Sequence, residues 1–199
     1  MNRYVALEGI DGAGKTSVSN ALALLIEEAG HEVVRVREPG GTAVGEGLRK
    51  ILLDGPPVTP WAEALMFAAA RSQLVTEVIR PALDRGAWVL SDRSVYSSLA
   101  YQGAGRRLGM DSVRRINRPG LAGTWPEVVV LLTVSPQQGL ARQARPDRIG
   151  SQGLQFQRAV AEGFARLAGE EPERFVVIDG GRPMEQVVAA AWDALEARA

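Results

Sequence analysis

The sequence predicts an α/β fold, a five-stranded parallel sheet with helices on both faces. Three observations lead there. Short runs rich in Val and Ile alternate with longer stretches of helical period, and such alternation builds a parallel sheet because each helix carries the chain back to the start of the next strand. The run Val128-Val129-Val130-Leu131-Leu132 has no polar position, as a strand buried on both sides requires. Pro39, Pro56, Pro57, Pro60, Pro119, Pro126, Pro136, Pro146, Pro172 and Pro183 are expected at the joints between segments, where no backbone donor is missed.

In chain order, the first strand runs from Tyr4 to Glu8, and a glycine-rich turn leads from it into a helix from Lys15 to Ala29. A turn containing His31 opens the second strand, Glu32 to Arg37, followed by helical stretches at Ala43 to Leu53 and Trp61 to Arg85. The third strand, Ala87 to Ser91, leads into a broken helical segment from Val95 to Asn117. Val128 to Val134 is the fourth strand, Leu154 to Ala168 the next helix, Phe175 to Ile178 the fifth strand and Met184 to Ala197 the last helix. With no repeat, low-complexity tract or linker, residues 1–199 are expected to form a single domain.

A chain of 199 residues buries roughly 70% of the surface its unfolded form exposes and needs no staples. The cysteine count is zero, which excludes disulfides, thiolate metal sites and cysteine nucleophiles and suits a reducing, cytoplasmic setting. Lys and Arg number 23 against 23 acids, with no basic block, so neither nucleic acid nor a membrane surface is an expected partner. Every apolar run is shorter than a bilayer span and the N-terminus passes directly into a strand pattern, so no transmembrane helix or signal peptide is expected. His31, the sole histidine, sits in Glu28-Ala29-Gly30-His31-Glu32 and reads as a solvated turn residue. Only Lys15 and Lys50 among the cations are lysine, so an arginine by itself says little here. A lysine retained inside a glycine-rich turn marks a place where the guanidinium fork does not fit.

That turn, Gly9-Ile10-Asp11-Gly12-Ala13-Gly14-Lys15-Thr16, matches G-x-x-x-x-G-K-[ST] at every fixed position, with a strand before it and a helix after it. The glycines let the backbone wrap a polyphosphate so that successive N–H groups and the helix N-terminus point at it. Lys15 then meets the β- and γ-phosphates, and Thr16 offers a hydroxyl to Mg²⁺. GTPases, ATP-driven switches and small-metabolite kinases share this cradle. A GTPase needs Asn-Lys-x-Asp to read its base, and Asn117-Arg118-Pro119-Gly120 fails at the lysine and the aspartate. Asp147-Arg148-Ile149-Gly150 has the spacing of a D-x-x-G switch but no strand before it.

A kinase needs an acceptor pocket beyond the γ-phosphate, and three segments can build one. Glu38-Pro39-Gly40-Gly41-Thr42 follows the second strand, where open parallel sheets place ligands. Phe67 and Arg71 are four residues apart and share a helix face, an aromatic plate beside a fork of donors. Asp92-Arg93 closes the third strand and leads to Ser97-Ser98-Leu99-Ala100-Tyr101-Gln102-Gly103.

With these segments in this order, the sequence resembles the thymidylate kinase family across nearly the whole chain, and the fold that follows is a P-loop kinase with a short mobile lid at about residues 142–153. The resemblance implies phosphorylation of dTMP to dTDP by ATP and Mg²⁺, and a homodimer. It makes Gly9, Ile10, Asp11, Gly12, Ala13, Gly14, Lys15 and Thr16 the ATP-binding loop. Phe67 stacks on thymine, Arg71 and Gln102 bond its edge, Ser98 lines the same pocket, and Tyr101 lies where a ribose 2′-hydroxyl would project. Arg49 and Arg93 hold the acceptor phosphate, and Asp11 and Glu38 approach the sugar hydroxyl and the metal, for which Thr16 and Asp92 are the other candidates. No arginine stands in the loop, so Arg142, Arg145 or Arg148 is expected to reach the transferred phosphoryl group from the lid, a segment read as having no apolar anchor. Gly150 stands where relatives often carry an acid.

Such chemistry needs no general base, because the nucleophile is a phosphate oxygen ionised at neutral pH. Lys15, Arg93 and the lid need only align two polyanions and neutralise their charge. A kinase of a different acceptor, or a phosphate-loop switch with no acceptor, remains open at this point. The switch leaves Phe67, Arg71 and Gln102 without a role.

Overall fold

The computed structural model describes residues 3–143 and 147–198. Five parallel strands form one sheet in the order β2-β3-β1-β4-β5: β1 Tyr4–Glu8, β2 Val33–Arg37, β3 Trp88–Asp92, β4 Val128–Thr133 and β5 Phe175–Asp179. Leu7 is level with Asp92 on one side of β1 and with Val130 on the other, so β1 and β3 end within a residue of each other and β4 runs two residues further. All five strands match the segments expected, to within one residue at either end. The five residues of β1 are buried, whereas the edge strands β2 and β5 leave Arg35 and Val177 exposed.

Alternation along β1 divides the core. Val5 and Leu7 face one layer with Val18, Leu22 and Ile26 of α1 (Lys15–Glu28) and Val187 and Ala191 of α9 (Met184–Glu196). Tyr4 faces the other layer, with α3 (Pro60–Leu74), α4 (Arg80–Asp84), α5 (Val95–Ser98), α6 (Met110–Leu121) and α8 (Leu154–Glu170) around it. Glu8 shares the side of Tyr4 and so carries a carboxyl into a layer that is otherwise mostly apolar.

The single helix expected over Trp61 to Arg85 is three pieces, because a π-helical turn, Val75–Ile79, separates α3 from α4. Pro81 accounts for it: a residue with no N–H cannot continue the i→i−4 ladder, and a widened turn just before it absorbs the defect. A second π turn, Leu99–Gly105, extends α5 and carries Tyr101 and Gln102. Pro119, expected at a joint, lies inside α6 instead. The carbonyl that loses its donor belongs to Arg115, an exposed residue whose backbone water can reach.

Before α3, α2 (Ala43–Asp54) is capped by Thr42, whose Oγ1 accepts from the Gly45 amide at 2.9 Å. A helix not anticipated, α7 (Pro136–Arg142), opens with a capping box between Ser135 and Gln138. Its signal was present as Ser-Pro-x-Gln, a cap followed by Pro at the first helical position. Among the described residues no helix is long and apolar enough to cross a membrane.

Candidate active site

The switch from β1 to its neighbours opens a crevice at the carboxyl ends of β1 and β3, where parallel sheets bind ligands. The loop after β1 turns there on left-handed residues. Gly12 has φ +80°, and a Cβ on it would collide with the Gly139 carbonyl of α7, so α7 packs against the loop backbone itself. Gly14, at φ +94°, releases the chain into α1, whose first residue is Lys15.

Lys15 is buried, and its Nζ donates to the carbonyls of Gly9 at 3.1 Å and Ile10 at 2.9 Å. Burial and then the charge of Arg93 pull its pKa down to about 8, against Asp11, Asp92 and Glu8, which favour the charged form. The ammonium is thus held in the loop by weak acceptors and is under-neutralised. Thr16 donates its hydroxyl to Asp92 Oδ2 at 2.6 Å.

Arg93 stands just past β3 in the left-handed region, φ +74°, which turns its side chain back over the loop. Its guanidinium donates to Ser97 Oγ at 3.0 Å, to the Gly9 carbonyl at 3.3 Å and to Tyr101 Oη at 3.3 Å, and it pairs with Asp11. Burial by itself would raise the Asp11 carboxyl, but Arg93 and Lys15 outweigh it and hold its pKa below the usual value. Asp11 is therefore bound to Arg93, and Thr16 with Asp92 forms the pair of oxygen donors at the loop.

Behind this corner lies Glu8, fully buried and absent from the residues singled out by sequence. It accepts from the Ser94 amide at 2.8 Å, Ser94 Oγ at 2.7 Å, the Ser97 amide at 3.1 Å and Ser97 Oγ at 2.6 Å. Burial raises its pKa, with Arg93 and the serine hydroxyls working the other way.

All nine residues expected around dTMP line one pocket: Asp11, Glu38, Arg49, Phe67, Arg71, Arg93, Ser98, Tyr101 and Gln102. Within it Arg71 is buried, and its guanidinium is largely committed to protein. It donates to Glu38 Oε2 at 2.6 Å, to the Ser94 carbonyl at 3.2 Å, to Ser98 Oγ at 3.0 Å and to Asn117 Oδ1. Four of its five N–H groups are thereby used, which leaves one for a ligand. Burial pushes the Glu38 carboxyl up to about 7 in spite of Arg71, and its Oε1 is buried with no partner among the described residues. Arg49 donates to the Pro39 carbonyl at 2.8 Å. Gln102 donates from Nε2 to Glu63 Oε1 at 2.9 Å.

A second cavity runs along Gly12, Gly14, Lys15 and Thr16 to Asp92 and Arg142. Asp11, Glu38, Arg49, Arg93 and Asp147 line both cavities, so the two meet at a wall of two cations and three carboxyls. Gly9, Ile10 and Ala13 do not line this groove. Ile10 and Ala13 are buried, and they shape the loop from behind.

The expected lid arginines have different settings. Arg142 ends α7 with its Nη1 3.4 Å from the Gly12 carbonyl and 3.3 Å from that of Gly180, at the mouth of the loop. Arg148 lies elsewhere, donating to Glu63 Oε2 at 3.0 Å and to the Leu52 carbonyl at 2.9 Å, beside the acceptor pocket. Arg145 lies outside the described residues. The expectation of a segment without an apolar anchor is corrected by Ile149, which is buried in the core and also lines the acceptor pocket. Gly150 donates its amide to Asp147 Oδ1 at 2.8 Å, in the turn that seats Ile149.

Known proteins match this arrangement along almost its full length. The family model for thymidylate kinase matches residues 7–191. A thymidylate kinase of Deinococcus radiodurans is 45% identical over 98% of this chain and 97% of its own, and one of Synechococcus sp. strain JA-3-3Ab is 44% identical over 98% and 96%. The crystal structure of thymidylate kinase from Ehrlichia chaffeensis superposes with a TM-score of 0.81 at 28% identity, covering 98% of both chains. A phosphate loop backed by a pocket that gathers Phe67, Arg71 and Gln102, together with these likenesses, makes the chain a member of the thymidylate kinase family.

Proposed function

We propose that this chain carries out the reaction of its family, phosphorylation of dTMP to dTDP in dTTP synthesis, with ATP as donor and Mg²⁺ as the metal. Transfer takes place across the wall shared by the two cavities. That shared wall is the observation that carries the reading, since Asp11, Glu38, Arg49, Arg93 and Asp147 border the pocket of Phe67 and the groove of Lys15 alike.

In this reading thymine stacks on Phe67, Gln102 and the last N–H of Arg71 meet its edge, Ser98 lines its pocket and Tyr101 blocks a 2′-hydroxyl. Glu38 Oε1, a buried oxygen with no partner among the described residues, accepts from the sugar hydroxyl. Arg49 and Arg93 hold the acceptor phosphate, with Asp11 keeping Arg93 in place. Gly9 to Thr16 cradle the ATP phosphates, and Lys15 exchanges two carbonyls for the β- and γ-phosphates. Thr16 and Asp92 fit Mg²⁺, which takes hard oxygen donors and needs few from protein when phosphates and water supply the rest. The bound ion supplies neutralisation of phosphate charge. A dTMP phosphate oxygen then bonds to the γ-phosphorus as the bond to the β,γ-bridging oxygen breaks, and Arg142 and Arg145 stabilise the moving group from the lid.

Residues 1–199 act as one domain with residues 142–153 as its lid, in the cytoplasm, and two copies pair into a homodimer. The exposed apolar side chains Val44 and Ile51 of α2 and Trp61 and Leu65 of α3 support that pairing.

A panel of acceptors tests the proposal. Uracil keeps the edge of thymine and lacks a methyl group, a loss of about 1–3 kcal/mol in a fitted pocket. Cytosine reverses the edge and leaves buried groups unpaired at roughly 1–3 kcal/mol each. The expected order of kcat/KM is dTMP, then dUMP, then dCMP, with purine monophosphates excluded by size. Preference for AMP, GMP or dCMP over dTMP would overturn it.

A further inference from the structure

Glu63, in the first turn of α3, is fully buried and receives four hydrogen bonds from three side chains. Its Oε1 accepts from Gln102 Nε2 at 2.9 Å and Arg106 Nε at 3.1 Å, and its Oε2 accepts from Arg106 Nη2 and Arg148 Nη2, both at 3.0 Å. A carboxylate can only accept, so the Gln102 group that faces it has to be the NH₂. With Nε2 turned to Glu63, Gln102 Oε1 accepts from no group among the described residues, and Gln102 lines the acceptor pocket.

We propose that Glu63 is the positioning residue that sets the polarity of Gln102, and thereby selects a base with an N–H at ring position 3 over one with a bare ring nitrogen there. The proposal rests on the reading of Gln102 as the reader of the base edge. Two arginines on the same carboxylate make the setting hard to reverse. They hold the Glu63 carboxyl in place and fill its other acceptor positions, so that the side left for Gln102 calls for a donor.

The isosteric change Glu63→Gln separates this role from simple support. An amide at position 63 has one oxygen and one NH₂. The oxygen stays with Arg106 Nη2 and Arg148 Nη2, because the opposite choice turns the NH₂ toward N–H groups of two arginines, whereas this one turns it toward the Nε–H of Arg106 alone. The NH₂ then faces Gln102, which satisfies it by flipping its own amide, and the pocket acquires a donor where it had an acceptor. Arg71 still disfavours a cytosine amino group, so the base preference narrows without inverting.

The readout is the ratio of kcat/KM for dTMP over 5-methyl-dCMP, two acceptors that differ only at the edge in question. Both Gln102→Ala and Glu63→Gln are expected to lower this ratio about tenfold or more relative to the unaltered enzyme. If Gln102→Ala leaves the ratio unchanged, Gln102 does not read the base and the proposal falls with that reading. If Gln102→Ala lowers it and Glu63→Gln does not, even while losing activity on both acceptors equally, Glu63 is only a structural support. For the case in which the Glu63→Gln chain does not fold, neutron diffraction of the unaltered protein with dTMP decides. Deuterons of Gln102 on the Glu63 side are expected, and deuterons directed at the base would overturn the proposal.

Discussion

Lys15 occupies a place that tolerates a cation poorly until phosphate arrives, with a pKa near 8 set first by burial and then by Arg93. A polyphosphate in the loop stabilises the ammonium, so at pH 8 ATP binding is expected to take up protons. Calorimetry in buffers of different ionisation enthalpy measures this, and the uptake should disappear in Lys15→Ala, which should also lose orders of magnitude in turnover. Glu38 is the opposite case, with a carboxyl raised from 4.5 to about 7 by burial. The folded chain keeps this proton longer than the unfolded one, so its contribution to stability is complete below about pH 4.5 and is lost as pH rises through 7. Relative to Glu38→Gln, the unaltered protein should therefore lose on the order of a few kcal/mol between pH 4.5 and 8 in denaturant titrations. A gain over that range would contradict the assigned burial. Residues with a motif around them, such as Lys15 and Phe67, were legible in the sequence. Glu8, Glu63 and Arg106 were not, because a lone acid or arginine acquires meaning only from partners dozens of positions away.

At the scale of elements, α7 supplies most of what sequence missed. Gly139 lies so close to the phosphate loop that a Cβ there would sit 2.6 Å from the Asp11 carbonyl. Gly139→Ala is expected to cost about 1–3 kcal/mol of stability and to lower ATP affinity more than dTMP affinity, since the loop backbone has to move. Wild-type binding of both substrates by this variant would show the contact to be soft. The same helix separates the lid arginines. Arg142→Ala should lower kcat with little change in the KM for dTMP, the mark of an interaction made at the transition state, whereas Arg148→Ala should act on dTMP binding through Glu63. Equal effects of the two on kcat alone would return Arg148 to the phosphate. Strands were easily located because a continuous apolar run has one structural use in this fold. The π turns were invisible, since Leu99–Gly105 is written in residues that suit an ordinary helix equally well.

On the scale of the whole molecule, α2 packs against α3, and each leaves a pair of large apolar side chains exposed: Val44 and Ile51, Trp61 and Leu65. Water meets these side chains in an isolated chain, and pairing of two copies would remove it. Sedimentation is expected to show a dimer, and Leu65→Glu should yield monomers. Because α3 also carries Glu63, Phe67 and Arg71, the monomers should bind dTMP more weakly. A native chain that sediments as a monomer would remove the dimer from the proposed function.

Periodicity and one local motif were enough to read the parallel sheet and the phosphate loop from sequence, because both are written in neighbours: a buried strand in consecutive apolar residues, a phosphate cradle in eight successive positions. Their order along the chain, read against a known family, extended this to nine residues that the fold brings to one pocket. Which partner each polar group takes was decided only by tertiary structure. Arg148 could be placed in the expected lid by its position, but its meeting with Glu63, 85 residues earlier in the chain, depends on α3 and the segment after α7 being brought to one point. Burial makes that meeting matter, since a carboxylate removed from water has to find its donors within the fold, and nothing in its sequence neighbours names them.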